Sequence, residues 1–321
     1  MSRRIPMVDT PRPRLPSWFK VTLREGPAYQ EIRRLVTSLN LHTICEEARC
    51  PNVWECWNNR TATFMILGDI CTRRCHYCSV TTGRPLMLDE AEPARVAEAV
   101  KMLGLRHAVI TSVNRDELPD GGARMFAETI GAIRRDLPSC TVEVLIPDFM
   151  GDEAALEKVL LAKPDILNHN IETVPRLFPS VRPQGKYGRS IQLLQAASRK
   201  GAVTKSGLMV GLGETAEEVR AVMQELRGAG CSLLSIGQYL QPTKDHWPVM
   251  RFYMPEEFQQ FKDEGLALGF QHVESGPLVR SSYHAEEAAR PGEKAAVLAA
   301  AGRAGEKSQT ARLGGQRAGR V

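Results

Sequence analysis

The chain has 321 residues, 43% hydrophobic and 25% charged, and its 42 basic and 37 acidic residues leave a formal charge of +5. That balance suits a globular protein with one large core or two small ones, and so small an excess of positive charge argues against a nucleic-acid-binding stripe. No apolar run approaches the roughly 20 residues that cross a bilayer, and the start, Met1-Ser2-Arg3-Arg4-Ile5-Pro6, lacks the apolar stretch of a secretory signal, so a cytoplasmic protein with no membrane partner is expected. In chain order, a Pro-rich start, a helix-like stretch over 29–39 and a cysteine-rich segment make up an N-terminal extension, residues 1–62.

From about Thr63 the pattern changes. Strand-like apolar runs at 63–67, 108–112, 142–146, 166–171, 205–210 and 233–239 alternate with amphipathic helical stretches at 94–103, 123–137, 153–161, 191–199, 216–226 and 255–268. Crossover helices of this kind link parallel strands, so the alternation predicts an α/β fold with a parallel sheet. Six units are too few for a closed eight-stranded barrel. They predict a partial (βα)6 TIM-type barrel over 63–285, open on one side for a large substrate, with its chemistry at the carboxyl ends of the strands. Residues 286–321 are Ala, Gly, Arg, Lys and Glu with few large apolar side chains, a composition that predicts a disordered tail.

Six of the eight cysteines crowd between Cys45 and Cys78, where metal binding is the better reading than disulfides. The later three lie in Cys71-Thr72-Arg73-Arg74-Cys75-His76-Tyr77-Cys78, directly after the first barrel strand. Thiolates at this spacing can hold three irons of an iron-sulfide cube and leave the fourth open to a ligand; a zinc loop completed by a fourth Cys or His, with His76 nearby, is the competing reading. The spacing and the aromatic Tyr77 before the third cysteine resemble the radical S-adenosylmethionine superfamily. The resemblance implies a 4Fe-4S cluster on Cys71, Cys75 and Cys78, with S-adenosylmethionine chelating the unique iron and being cleaved to a 5'-deoxyadenosyl radical.

The earlier triad, Cys45-x4-Cys50-x5-Cys56, is open to the same two readings, since three cysteines and His42 would also satisfy zinc. Far downstream stands the polar string Arg280-Ser281-Ser282-Tyr283-His284-Ala285. Together the two triads and this ending, in this order, resemble the lipoyl synthase family over roughly residues 25–285, including Asn114-Arg115-Asp116-Glu117-Leu118 and Gln241-Pro242-Thr243-Lys244. The resemblance implies a second 4Fe-4S cluster, the auxiliary one, on Cys45, Cys50 and Cys56, with Ser282 as its fourth ligand and Ser281 as the runner-up. It further implies insertion of two sulfur atoms, drawn from that cluster, at carbons 6 and 8 of an octanoyl group on a lysine of a carrier protein. That carrier would be a lipoyl domain of a 2-oxoacid dehydrogenase complex or the glycine-cleavage carrier protein, and a flavodoxin or ferredoxin would donate electrons. A biotin synthase, a methylthiotransferase or a zinc-bearing scaffold are the rival readings.

Other residues are less specific. Asn168-His169-Asn170-Ile171-Glu172-Thr173 ends a predicted strand in polar groups, and with it Asn170, Glu172 and Arg189 are candidate S-adenosylmethionine contacts, although loop capping and mutual pairing explain them equally well. Lys244, Asp245 and His246 are candidate substrate contacts or an ordinary turn. Trp54 and Trp57 bracket Cys56 as a shield for the cluster or as packing of a small extension. Cys140 and Cys231, alone in sequence, read as buried structural thiols.

Overall fold

The structure is a computed structural model that describes residues 14–20, 26–48 and 50–283. The tail at 286–321 and the first 13 residues of the extension therefore lie outside the described residues.

The extension contributes α1 (Pro27–Ser38), β1 (His42–Thr43), α2 (Ile44–Glu47) and α3 (Val53–Asn58). Helix α1 starts on a proline whose missing N–H costs nothing at that position, and it buries Tyr29, Ile32 and Val36, which share one face. Tyr29 stacks on Trp54 with 4.2 Å between ring centroids and lies 5.1 Å from Trp57, so the aromatic cluster of this small layer packs α1 against α3.

The barrel follows as β2 (Ala62–Ile66), a small ribbon of β3 (Ile70–Cys71) and β4 (Thr81–Thr82), α4 (Glu92–Met102), β5 (His107–Ser112), α5 (Ala123–Asp136), β6 (Thr141–Leu145), α6 (Glu153–Leu161), β7 (Ile166–Asn168), α7 (Phe178–Val181), α8 (Tyr187–Arg199), β8 (Thr204–Val210), α9 (Ala216–Gly228), β9 (Leu233–Gln238), α10 (Pro255–Ala267) and β10 (His272–Gly276). The main sheet runs β1-β2-β5-β6-β7-β8-β9-β10, with β1 antiparallel to β2 and every other pairing parallel. This is the expected partial barrel of six βα units, and β10 adds a seventh parallel strand. Strands β2 and β9 are buried at every residue, as a sheet covered on both faces requires.

Packed ends hold the helices in place. Thr215 and Glu218 form a reciprocal capping box at α9, and Asp152 caps α6 by accepting from the N–H groups of Ala154 and Ala155. Inside the sheet the interior carries an ionic group: Lys205 donates to both oxygens of the fully buried Glu143 at 3.0 and 3.1 Å, and Asn168 donates to the same carboxylate at 3.0 Å. Burial works against the Glu143 charge, yet Lys205 and His107 hold its pKa below the ordinary value.

Candidate active site

The loop that carries Cys71, Cys75 and Cys78 leaves the carboxyl end of β2 through a left-handed pair, Leu67 and Gly68 (φ 72° and 84°). Its first turn is then fixed by the β3–β4 pairing and by Gly83 N–H, which donates to Cys71 O at 3.0 Å. The Cys71 sulfur accepts from the backbone N–H of Arg73 at 3.4 Å and of Asn114 at 3.3 Å, with the Asn114 amide at 3.7 Å. Donors of this kind orient the sulfur. The other end of the loop is also tied down: His76 N–H donates to Val181 O at 2.9 Å, and Trp247 N–H to His76 O at 2.8 Å. His246 reaches back with Nε2 to Cys78 O at 2.9 Å while its Nδ1 faces the Thr243 hydroxyl at 2.8 Å. A carbonyl only accepts, so Nε2 carries the proton. His246, a candidate substrate contact in the sequence, thus braces the cysteine loop.

Arg73, between two of the cysteines, has a side chain only 1% exposed. Its Nε and Nη2 donate to the two oxygens of Asp116 at 2.6 and 2.8 Å, and Nη2 also donates to Asp148 at 2.6 Å. Burial alone would pull this guanidinium down; the two carboxylates hold its pKa above the ordinary value. Burial raises the Asp148 pKa, but Arg73 outweighs it and holds the carboxyl well below the usual range. Arg189 completes the group, donating to the other Asp148 oxygen at 3.1 Å.

A second group meets the loop from the sheet side. Glu172, in the left-handed region at φ 69°, exchanges backbone hydrogen bonds with β8 through Gly207 O and Met209 N, each 2.9 Å. Burial raises its carboxyl pKa, with Arg182, Asn170 and Tyr77 pulling the other way. Arg182 donates to Asn170 O at 3.2 Å, and the buried Asn170 Oδ1 has no hydrogen-bond partner among the described residues. A Cβ at Gly207 would stand 2.5 Å from that oxygen, so the glycine leaves room for it. Tyr77, Asn170 and Glu172 are thus gathered around Cys75, whereas Arg189 faces Asp148 instead.

The triad Cys45, Cys50 and Cys56 lies on α2, the α2–α3 turn and α3. Cys50 N–H donates to Cys45 O at 3.0 Å, which folds the segment on itself. Burial pushes the Cys45 thiol up to about 11 with Cys50 adding to it, and burial followed by its two neighbours pushes Cys56 higher still. Burial likewise raises Cys50, against the pull of Arg280. In the other triad, burial and then Cys75 push Cys78 up to about 12. Thiols so placed hold their protons against solvent, and binding of a metal to the sulfur would release them. All eight cysteines are free thiols, and Cys140 and Cys231 are buried away from both triads among backbone carbonyls.

The C-terminal string closes on this triad. Asn52 donates through Nδ2 to Leu278 O at 2.6 Å, and Tyr283 donates through its hydroxyl to Glu55 at 3.1 Å. Ser281 and Ser282, between these anchors, are partly exposed. On the opposite side Ser79 Oγ donates to Glu47 O at 2.7 Å, joining the radical-type loop to the extension. Among the described residues no three His, Cys, Asp or Glu side chains close around a single-ion position. A four-iron cube, a larger body, takes thiols standing apart around it, and the all-thiol donor sets suit iron-sulfide chemistry.

Residues 65–226 match the Radical SAM superfamily, and residues 2–50 match the N-terminal domain of lipoyl synthase. The lipoyl synthase of Rubrobacter xylanophilus is 61% identical over 284 residues, 88% of each chain, and that of Chloroflexus aurantiacus is 58% identical over 276 residues, 85% of this chain and 90% of its own. The chain belongs to the lipoyl synthase family. Among solved structures, methylornithine synthase superposes with a TM-score of 0.51 at 14% identity, covering 77% of this chain and 81% of that one. SuiB of Streptococcus suis bound to S-adenosylmethionine gives 0.54 at 12%, covering 76% and 58%. These two show that the chain shares their fold, in agreement with the Radical SAM match. Sequence reasoning passed over Asn114, Arg73, Asp116, Asp148 and Arg182 as site residues. Arg73 had a signal, a charged side chain inside a cysteine motif; Asp148 and Arg182 had only their places just after a strand and a short helix.

Proposed function

We propose that this chain, as a lipoyl synthase, inserts two sulfur atoms at carbons 6 and 8 of an octanoyl group carried on a lysine of a lipoyl-carrier protein. Cys71, Cys75 and Cys78 hold the radical 4Fe-4S cluster; Cys45, Cys50, Cys56 and Ser282 hold the auxiliary one. When bound, the first cluster with S-adenosylmethionine supplies a 5'-deoxyadenosyl radical and the second supplies sulfide. The observation that carries the reading is the docking of the 278–283 segment on the first triad through Asn52 and Glu55.

The chain's own residues do the rest. Asn114 and the Arg73 backbone direct N–H groups at Cys71, while Tyr77, Asn170 and Glu172 line the side of the loop where an amino acid moiety would be held. Arg189 acts there through Asp148 and Arg73. A serine oxygen is a weaker partner for iron than a thiolate, so Ser282 would be the most exchangeable of the residues that hold the auxiliary cluster. Residues 1–62 serve as the extension bearing the auxiliary ligands and 63–285 as the barrel. Among the described residues no helix is long and apolar enough to cross a membrane, and the reading places the enzyme in the cytoplasm with a flavodoxin or ferredoxin as electron donor. The test is anaerobic reconstitution with iron and sulfide, then reduction with S-adenosylmethionine and an octanoylated lipoyl-domain peptide. Two sulfurs gained with matching 5'-deoxyadenosine support the assignment; deoxyadenosine without sulfur on the peptide overturns the substrate.

A further inference from the structure

The buried and half-buried arginines near the two triads are each matched to a carboxylate among the described residues, with one exception. Arg73 pairs with Asp116 and Asp148, Arg115 with Glu117, and Arg182 is coupled to Glu172. Arg280 has no carboxylate partner among the described residues. Its Nη1 donates to Val279 O at 2.7 Å and to Gln238 O at 3.3 Å, two neutral carbonyls at the end of β9 and just before the arginine itself. Asn52, two residues after Cys50, donates to the carbonyl of Leu278, two residues before Arg280, at 2.6 Å, so the arginine is held beside the Cys50 turn, and Cys50 is the ionisable side chain that acts on it.

The position is built rather than incidental. A Cβ on Gly237 would meet Val279 O at 2.1 Å, so the string reaches this seat only because β9 has a glycine there. Leu278 and Tyr283 are pinned on either side by Asn52 and Glu55. Arg280 is partly buried, and a cation drawn out of water without an anion beside it is unfavourable, whereas a cluster held by three thiolates carries net negative charge.

We propose that Arg280 is the counter-charge of the auxiliary cluster: it stands against Cys50 to offset the negative charge of the thiolate-bound cluster while its hydrogen bonds to β9 set the serines in place. It acts through the cluster's ligands and is a positioning residue. The inference rests on the reading of Cys45, Cys50 and Cys56 as an iron-sulfur site.

The test compares the reconstituted parent with Arg280→Met and Arg280→Lys by iron and sulfide content, by the rate of iron loss to a chelator, and by an EPR-monitored redox titration. S-adenosylmethionine perturbs only the radical cluster's signal, so the unperturbed signal reports the auxiliary one. Removing a positive charge disfavours adding an electron, so Arg280→Met shifts the auxiliary potential to more negative values and loses that cluster's iron several-fold faster. Arg280→Lys keeps the charge and stays near the parent potential. If Arg280→Met holds no auxiliary cluster at all, Arg280→Lys still holds it; equal loss in both variants overturns the counter-charge. Arg280→Met with the parent's potential and iron retention also overturns it. A parent that never loads a second cluster overturns instead the reading of the cysteine extension on which the proposal rests.

Discussion

Ser281 and Ser282 sit in a turn closed by Tyr283 N–H donating to Arg280 O at 2.9 Å. With Ser282 as the ligand, Ser282→Ala keeps S-adenosylmethionine cleavage and loses most lipoyl formation, while Ser281→Ala loses little. Mass spectrometry of the peptide beside chromatography of 5'-deoxyadenosine reads both, and the reverse ranking moves the role to Ser281. A second residue-scale expectation concerns His169. Its Nδ1 and Nε2 face Ile146 O at 2.8 Å and Ser190 Oγ at 2.9 Å, and burial, with Arg182 next, lowers its pKa to about 4. An unfolded histidine titrates near about 6.5, so between these values the unfolded chain binds the extra proton, and stability falls as pH drops from 6.5 toward 4. From pH 7 to pH 5 the loss is about 2 kcal/mol. In His169→Asn, the difference in urea midpoint between those two pH values shrinks; an unchanged difference assigns the acid sensitivity elsewhere. The cysteines were legible because their spacing is local. Asp148 and Arg182 were not, because what makes them part of the site is contact with residues 75 positions away for one and 12 for the other, which no window of sequence displays.

At the scale of elements, the six strands and the helices between them followed from periodicity because each is buried on a face that its apolar spacing reveals. Strand β10, His-Val-Glu-Ser-Gly, shows no such pattern: only Val273 is buried, and the strand exists because its backbone pairs with β9 from His272 to Gly276. The cysteine loop is a comparable case. Its shape is set less by its own residues than by three neighbours, the β5–α5 loop at Asp116, the loop after β6 at Asp148 and the loop after β9 at His246. Arg73 is the member that ties the first two together. Cutting a buried ion pair on one side costs about 3–5 kcal/mol, here spent on loop order rather than on the whole fold. Arg73→Gln is therefore expected to hold about one cluster's iron per chain in place of two, with the EPR signal perturbed by S-adenosylmethionine missing and the other retained. Full iron and an unaltered signal would show that the loop stands without its clamp.

For the molecule as a whole, the substrate is itself a protein, and the barrel must admit an octanoyl arm between two metal sites while its carrier stays outside. The sheet order leaves β1 and β10 unpaired with each other, so the barrel has an open side. Beside the cysteine loop Arg74, Arg84 and Lys186 are exposed and enter no ion pair among the described residues, Asp116 and Glu117 are already paired with arginines, and Asp69 and Asp245 are the carboxylates set against these three cations. An acidic carrier approaching such a surface is steered by long-range attraction, which salt screens over a Debye length of about 8 Å at physiological ionic strength. Raising salt from about 50 to about 300 mM is expected to raise KM for an octanoylated lipoyl domain several-fold with little change in kcat. Octanoyl-lysine peptides without acidic residues show no such dependence. The charge-neutralising set Arg74→Gln, Arg84→Gln and Lys186→Gln flattens the salt response of the domain toward that of the peptide. A response that survives all three substitutions places carrier docking on another face of the barrel.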